Sequence, residues 1–203
     1  MIAIVDYDVG NVGSIANMLR KAGADAAITG DLEVIERADK IVLAGVGSFD
    51  NGMRKLRERG LVDLLDRKVR DGCTPLLGIC LGMQFFGRGS EEGSEAGLNW
   101  LDAETVRFEL DSGSPLKIPH MGWNGLDIVP GATGHYGFSD EARYYFVHSY
   151  HLVCHDQGDV VAKTTYGYPF VSAVRRKNIF GVQFHPEKSH RFGLAMMEQF
   201  AAA

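Results

Sequence analysis

Short apolar runs alternate with segments of helical period through the first half of the chain. Residues 2–6 read as a buried strand. Ile15, Met18 and Leu19 share one helical face behind Ser14, a residue type that caps helices, and Gly23 closes the segment. Residues 26–29 and 40–44 are predicted as the second and third strands. Between residues 53 and 70, Leu56, Leu61, Leu64, Leu65 and Val69 recur at helical spacing, with an interruption at Gly60. Gly72 ends this stretch and Pro75 prevents its continuation. Residues 76–79 form a fourth apolar run that leads into a helix over residues 81–86. Such strand–helix alternation points to a parallel sheet covered on both faces.

Residues 87–99 are polar and Gly-rich, and read as a surface loop too short to link domains. The pattern beyond them changes. Apolar runs at residues 104–108, 126–129, 144–153, 160–164, 170–175 and 179–184 are separated by turns without intervening helices, which predicts hairpins. A last helix covers about residues 190–200. The expectation is one α/β domain over residues 1–203, with a central mixed, mostly parallel sheet flanked by helices and antiparallel hairpins added in its second half.

Composition narrows the function classes. The 203 residues carry 21 Lys and Arg against 26 Asp and Glu, a formal charge of −5, and no basic tract runs through them. A mildly acidic chain of this kind is not built to grip nucleic acid through its phosphates. No apolar run approaches the roughly 18 residues of a membrane span, and the N-terminus carries no secretory leader, so a cytoplasmic location without membrane attachment is expected. Three cysteines, Cys73, Cys80 and Cys154, are too few and too unevenly spaced for a disulfide framework.

One of the three lies in the sharpest local feature, Gly78-Ile79-Cys80-Leu81-Gly82, between an apolar strand and a helix. This is the G-x-nucleophile-x-G elbow with Cys in place of Ser. Side chains two residues to either side of the nucleophile would collide in so tight a turn, which accounts for both glycines. The turn would set Cys80 at a helix N-terminus, where dipole and free N–H groups favour the thiolate, and the N–H of Leu81 could help to hold an oxyanion. A small hydrophobe filling the core is the competing reading of Cys80. His185 and Glu187, in Gln183-Phe184-His185-Pro186-Glu187, leave the last apolar run at the same sheet edge. Glu187 is close enough to accept the second ring N–H of His185, completing a base and its orienter; a capping histidine and a surface acid are the alternative. Gly45-Val46-Gly47 follows the third strand and could supply backbone N–H groups to the same oxyanion, or be an ordinary turn. It lacks the third glycine of a dinucleotide fingerprint, and no cofactor is expected. His148, His151, Cys154 and His155 cluster in sequence, but a strand there would send His148 and His151 to opposite faces, and no metal site is expected.

Together these residues resemble the class I, triad-type glutamine amidotransferases over nearly the whole chain, and within them the glutaminase-subunit type of imidazole glycerol phosphate synthase. The resemblance is carried by Val5-Asp6-Tyr7 with Gly10-Asn11, by the GVG turn with Ser48-Phe49, and by the elbow with Met83-Gln84. It continues through Pro119-His120-Met121-Gly122-Trp123-Asn124, Tyr145-Phe146-Val147-His148-Ser149-Tyr150, and residues 183–189. It implies Cys80 as nucleophile, His185 as base and Glu187 as orienter. Gln84, Ser149 and Tyr150 are implied as glutamine contacts. Gly45, Val46, Gly47 and Leu81 are implied around the oxyanion, with Val46 and Leu81 as the donors. Asn11, Met121, Trp123, Asn124 and Lys188 are implied as the face toward a partner. The chain departs from the family at Ala44, where Pro is usual, and at Asp8, where Gly is usual; Ala44 should loosen the oxyanion turn, and Asp8 should add a charge near the partner face.

The resemblance also implies a reaction, hydrolysis of glutamine to glutamate and ammonia. Because one α/β domain uses up the chain, the ammonia acceptor is expected on a separate synthase (cyclase) subunit making imidazole glycerol phosphate in histidine biosynthesis, with the two chains forming a heterodimer. Other acceptors remain open, such as a sugar-modifying amidotransferase of surface polysaccharide synthesis. A thiol peptidase or esterase on the same elbow, or a partner-binding module with a relic triad, also remains open.

Overall fold

A computed structural model describes residues 1–132, 136–139 and 141–203. Five parallel strands form one half of its main sheet: β1 (Ile2–Val5), β2 (Ala26–Thr29), β3 (Lys40–Gly45), β4 (Leu76–Cys80) and β12 (Ile179–Val182), in the order β2-β1-β3-β4-β12. The sheet continues antiparallel through β11 (Tyr168–Arg176), β10 (Val160–Tyr166) and β7 (Asp127–Ile128). β9 (Tyr150–Cys154) joins β11 at Val171 and carries β5 (Ala103–Arg107) on its other side. A separate two-stranded sheet is made of β6 (His120–Asn124) and β8 (Tyr144–His148). The mixed α/β architecture is the one the sequence predicts.

Alternating side chains of the parallel strands feed two cores. Ala3, Val5, Ile41, Leu43 and Leu76 pack with α2 (Leu32–Glu36), α3 (Phe49–Glu58) and α4 (Leu61–Asp66). Ile2, Ile4, Val42, Leu77 and Ile79 pack with α1 (Val12–Lys21) and α6 (His190–Ala202) on the other face. A sheet with helices on both faces buries its strands completely, which is why β1 and β4 are apolar throughout and do not alternate.

Several local expectations need correction. α1 begins before Ser14: Asn11 holds the cap position, without a side-chain hydrogen bond. The weakly patterned α2 escapes the periodicity reading because it is only five residues long, yet Asp31 caps it through the N–H groups of Glu33 and Val34. The helix predicted between residues 53 and 70 is two helices parted by Gly60 at φ 66°, and its last turn, Arg67–Asp71, is wound as a π-helix. The helix after the elbow, α5 (Leu81–Gln84), stops two residues early. The run at residues 144–153 is two strands in two sheets, broken at Ser149, because β8 pairs with β6 while β9 pairs with β5 and β11.

Candidate active site

Register brings the chemistry to one sheet edge. Gly45 of β3 pairs with Cys80 of β4, and Val182 of β12 pairs with Ile79, so the chain leaving β12 passes directly beside Cys80. Cys80 sits at φ 54°, ψ −110°, in the region that L side chains seldom occupy, and joins β4 to α5 without an intervening loop. Both elbow glycines are required by packing. A Cβ on Gly78 would lie 2.3 Å from the Phe86 ring, and one on Gly82 would lie 1.9 Å from the carbonyl oxygen of Leu43. Cys80 is buried, yet it opens onto a cleft of about 500 Å³.

His185 reaches the same cleft from the turn after β12. Its N–H donates to the Tyr145 carbonyl at 2.8 Å, and its own carbonyl accepts from the Ser189 hydroxyl at 2.6 Å, so both backbone groups are fixed. Nδ1 meets Glu187 Oε1 at 2.8 Å, with both side chains 2% exposed. Burial would lower the His185 pKa, yet it is raised to about 10. The negative charge of the nearby Cys80 sulfur, followed by the Glu187 carboxylate that accepts from Nδ1, favours the protonated ring. The arrangement sets the Cys80 thiol and the His185 imidazole on one cleft, with the ring oriented by the buried Glu187 carboxylate.

The remaining expected residues sort by position. Val46, Gly47, Leu81, Gln84, Ser149 and Tyr150 all line the cleft. Gly45 sits one step back, where a Cβ would strike the Tyr7 hydroxyl and the Leu81 side chain. Gln84 is also structural: its amide donates to the Tyr150 carbonyl and to Gln183 Oε1, both at 3.0 Å. Gln183 in turn directs Nε2 at Cys80 Sγ at 3.6 Å. Sequence reasoning placed Gln183 within a motif but gave it no role; its position beside Cys80 follows from the β4–β12 register, which a linear reading does not contain. Glu92 was missed altogether. It lines the cleft and accepts the Phe49 N–H at 2.8 Å, because Asp50 folds the Gly-rich loop back by accepting from Ser94 and Glu95.

On the expected partner face, Met121 (61% exposed) and Trp123 (47%) project from β6, and Trp123 stacks flat on His190 at 5.3 Å. Lys188 stands 5.7 Å over the Tyr145 ring and also lines the cleft. Asn11 is exposed at the start of α1, which packs against the Pro186–Lys188 turn. Asn124 turns inward: its amide nitrogen donates to the Thr165 carbonyl at 3.0 Å, and its oxygen accepts the Gly125 N–H at 2.9 Å.

The two departures from the family acquire physical accounts. Asp8 occupies a left-handed conformation, φ 62°, where glycine is favoured and Asp is among the tolerated residues. Its charge is not loose: Arg59 pairs with the carboxylate and Lys55 lies 3.9 Å from it. Ala44 lacks the φ restraint of proline, but the buried Tyr7 hydroxyl donates to its carbonyl at 2.8 Å. The histidine-rich stretch disperses. His151 contacts the Tyr168 hydroxyl at 3.0 Å, His155 lies 3.4 Å from Glu104, and His148 belongs to the cleft. Among the described residues no helix is long and apolar enough to cross a membrane.

Comparison with known proteins agrees with the geometry. The chain matches the family "Glutamine amidotransferase class-I" over residues 3–203. It is 52% identical over 200 residues to imidazole glycerol phosphate synthase subunit HisH 2 of Methanococcus maripaludis, covering 98% of each chain. It is 46% identical, with the same coverage, to the subunit of that name from Pseudomonas aeruginosa. Among solved structures it resembles PurLQS from Thermotoga maritima (TM-score 0.72, 19% identity, covering 98% of this chain and 96% of the other). It also resembles the glutaminase domain of Trypanosoma brucei CTPS (TM-score 0.65, 17% identity, covering 99% and 93%), a likeness that concerns the fold. With a family match across almost its full length and relatives this similar, the chain belongs to the class-I glutamine amidotransferases.

Proposed function

We propose that the chain is the glutaminase subunit of imidazole glycerol phosphate synthase. It would hydrolyse glutamine to glutamate and ammonia and pass the ammonia to a separate cyclase subunit in histidine biosynthesis, in the cytoplasm. The observation that carries this reading is the strained Cys80 elbow facing an imidazolium that Glu187 holds at 2.8 Å. The Cys80 thiolate attacks the amide carbon of glutamine. The oxyanion is held by the N–H groups of Leu81 and Val46, each such donor being worth about 3 kcal/mol at the transition state. The imidazolium of His185 gives its Nε2 proton to the departing nitrogen, so ammonia leaves and a γ-glutamyl thioester remains on Cys80. Neutral His185 then takes a proton from water, the resulting hydroxide attacks the thioester, and glutamate departs with the Cys80 thiolate restored. Glu187 keeps the proton of Nδ1 in place throughout.

In this reading Gln84, Ser149 and Tyr150 hold the substrate, and the Glu92 carboxylate suits its α-ammonium group. Met121 and Trp123 are apolar, exposed and close to the cleft through Tyr145 and Lys188, as an interface anchor should be. The names of the curated relatives favour this acceptor over a sugar-modifying synthase, and over a peptidase or esterase. The test is ammonia release from glutamine by the chain alone and with a cyclase subunit. Slow release that rises on adding the cyclase is expected; full turnover indifferent to the cyclase contradicts the proposal.

A further inference from the structure

Two buried histidines that the reaction does not use run from the outer strand β6 to the wall of the cleft. Asn124 Nδ2 lies 3.5 Å from His120 Nε2, His120 Nδ1 lies 3.1 Å from His148 Nε2, and His148 Nδ1 lies 2.7 Å from the Tyr150 carbonyl. The protons on this chain can be assigned. A carbonyl only accepts, so His148 Nδ1 carries hydrogen. Asn124 cannot flip, because Thr165 requires its nitrogen and the Gly125 N–H requires its oxygen. Its nitrogen therefore donates to His120 Nε2, His120 Nδ1 donates to His148 Nε2, and every bond runs toward Tyr150. A charged His148 would place a hydrogen on Nε2 and turn His120 round, setting an N–H against the Asn124 amide. The surroundings agree. His120 is sandwiched by Tyr166 at 4.1 Å and Phe146 at 4.8 Å, and Phe108 and Phe170 each lie 5.2 Å from His148. Burial among these rings pushes the pKa of His148 down to about 3 and that of His120 down to about 4.

The Tyr150 carbonyl thus receives two side-chain donors, His148 and Gln84. It stands at Ser149–Tyr150, where the chain crosses from one sheet to the other: pairing with β6 ends at His148, and pairing with β5 begins at Tyr150. We propose that His148 is a positioning residue for the substrate: as a neutral imidazole set by His120 and Asn124, it fixes the Tyr150 carbonyl and with it the Ser149–Tyr150 wall against which glutamine rests. The proposal rests on the glutaminase reading of the cleft. It also gives β6, whose outer face carries Met121 and Trp123, a hydrogen-bonded line into the substrate wall.

Two experiments test it. In the intact chain labelled with nitrogen-15, long-range proton–nitrogen spectra near pH 6 should show His120 and His148 neutral and protonated on Nδ1. An Nε2–H tautomer or an imidazolium at His148 overturns the proposal, and no variant is needed. The second experiment compares His148→Gln with His148→Asn. An Asn amide can reproduce the Nδ1 donor, whereas Gln reaches only the Nε2 position. His148→Gln should raise the KM for glutamine, and the half-saturating concentration of 6-diazo-5-oxo-L-norleucine on Cys80, about tenfold, the scale of one buried donor lost. His148→Asn should recover most of that loss. A wild-type chain that uses glutamine, together with a His148→Gln variant of unchanged KM, overturns this inference alone. A wild-type chain that stays inert to both glutamine and the diazo analogue with the cyclase subunit present overturns the glutaminase reading and the substrate role with it.

Discussion

Replacing Gly82 by Ala perturbs the elbow without touching a reacting atom. The added Cβ would stand 1.9 Å from the Leu43 carbonyl oxygen and 2.7 Å from its carbon, whereas ordinary contact starts at 3.4 Å. Leu43 lies within β3, where it pairs with Gly78 of β4, and its backbone carbonyl cannot turn away as a side chain could. α5 and β3 must therefore part by about 1 Å or more, and Cys80 sits at the hinge of that movement. A misplacement of about 1 Å at a reacting group costs on the order of 100-fold in rate, and forcing a methyl into a packed core costs about 1–3 kcal/mol of stability. Gly78→Ala is the milder comparison, since its Cβ would meet chiefly the buried Phe86 ring, at 2.3 Å, and backbone only at the Gly82 carbonyl carbon, at 3.0 Å. Steady-state glutamine hydrolysis with the cyclase subunit present should therefore rank wild type, Gly78→Ala and Gly82→Ala in falling order, with Gly82→Ala down about 100-fold. A Gly82→Ala enzyme within threefold of wild type would refute the argument that elbow geometry places the nucleophile.

Further outcomes follow from the same structure. Trp123→Ala should weaken binding of the cyclase subunit about 30-fold, the scale of an exposed aromatic anchor removed, as read by titration calorimetry; unchanged affinity removes β6 from the interface. His120 and His148 have pKa values depressed to about 4 and about 3, so the unfolded chain binds protons more tightly than the native one below pH 6.5. Thermal stability should then fall as pH drops from about 6.5 toward 4, and His148→Asn should flatten that acid limb; equal slopes would contradict the assignment. His185 acts with the opposite sign. Its pKa is raised to about 10, so its contribution is complete below pH 6.5 and is lost as pH rises through about 10. Cys80→Ala, which removes the chief group raising it, should flatten the alkaline limb in the same melting series.

The parts legible in the sequence are those whose physics is local. The elbow is readable because two glycines flank a cysteine between a strand and a helix, and the His185–Glu187 pair because only one residue separates them. What stayed hidden depends on pairing over long separations. Residues 144–153 look like one strand, since nothing in the alternation of Tyr, Phe, Val and His marks the change of sheet at Ser149. The segment of β6 stands outside the apolar runs, since Gly122 and Asn124 are turn formers, yet β8 holds it as a strand. Glu92 lies in a loop without period, and distant partners, Asp50 on Ser94 and Glu95 and Arg57 on Glu95 and Ala96, bring it to the cleft. Asp8 looked like an added charge, whereas Arg59, 51 residues away, pairs with it.

The central claim is that Cys80 carries the glutamyl group. Incubating the chain and its cyclase subunit with glutamine, quenching in acid and mapping the peptides by mass spectrometry addresses it directly. The account predicts a γ-glutamyl adduct on Cys80, none on Cys73 or Cys154, and no hydrolysis by Cys80→Ala. Sustained ammonia release from the Cys80→Ala chain, or turnover with the adduct on another residue, would contradict it.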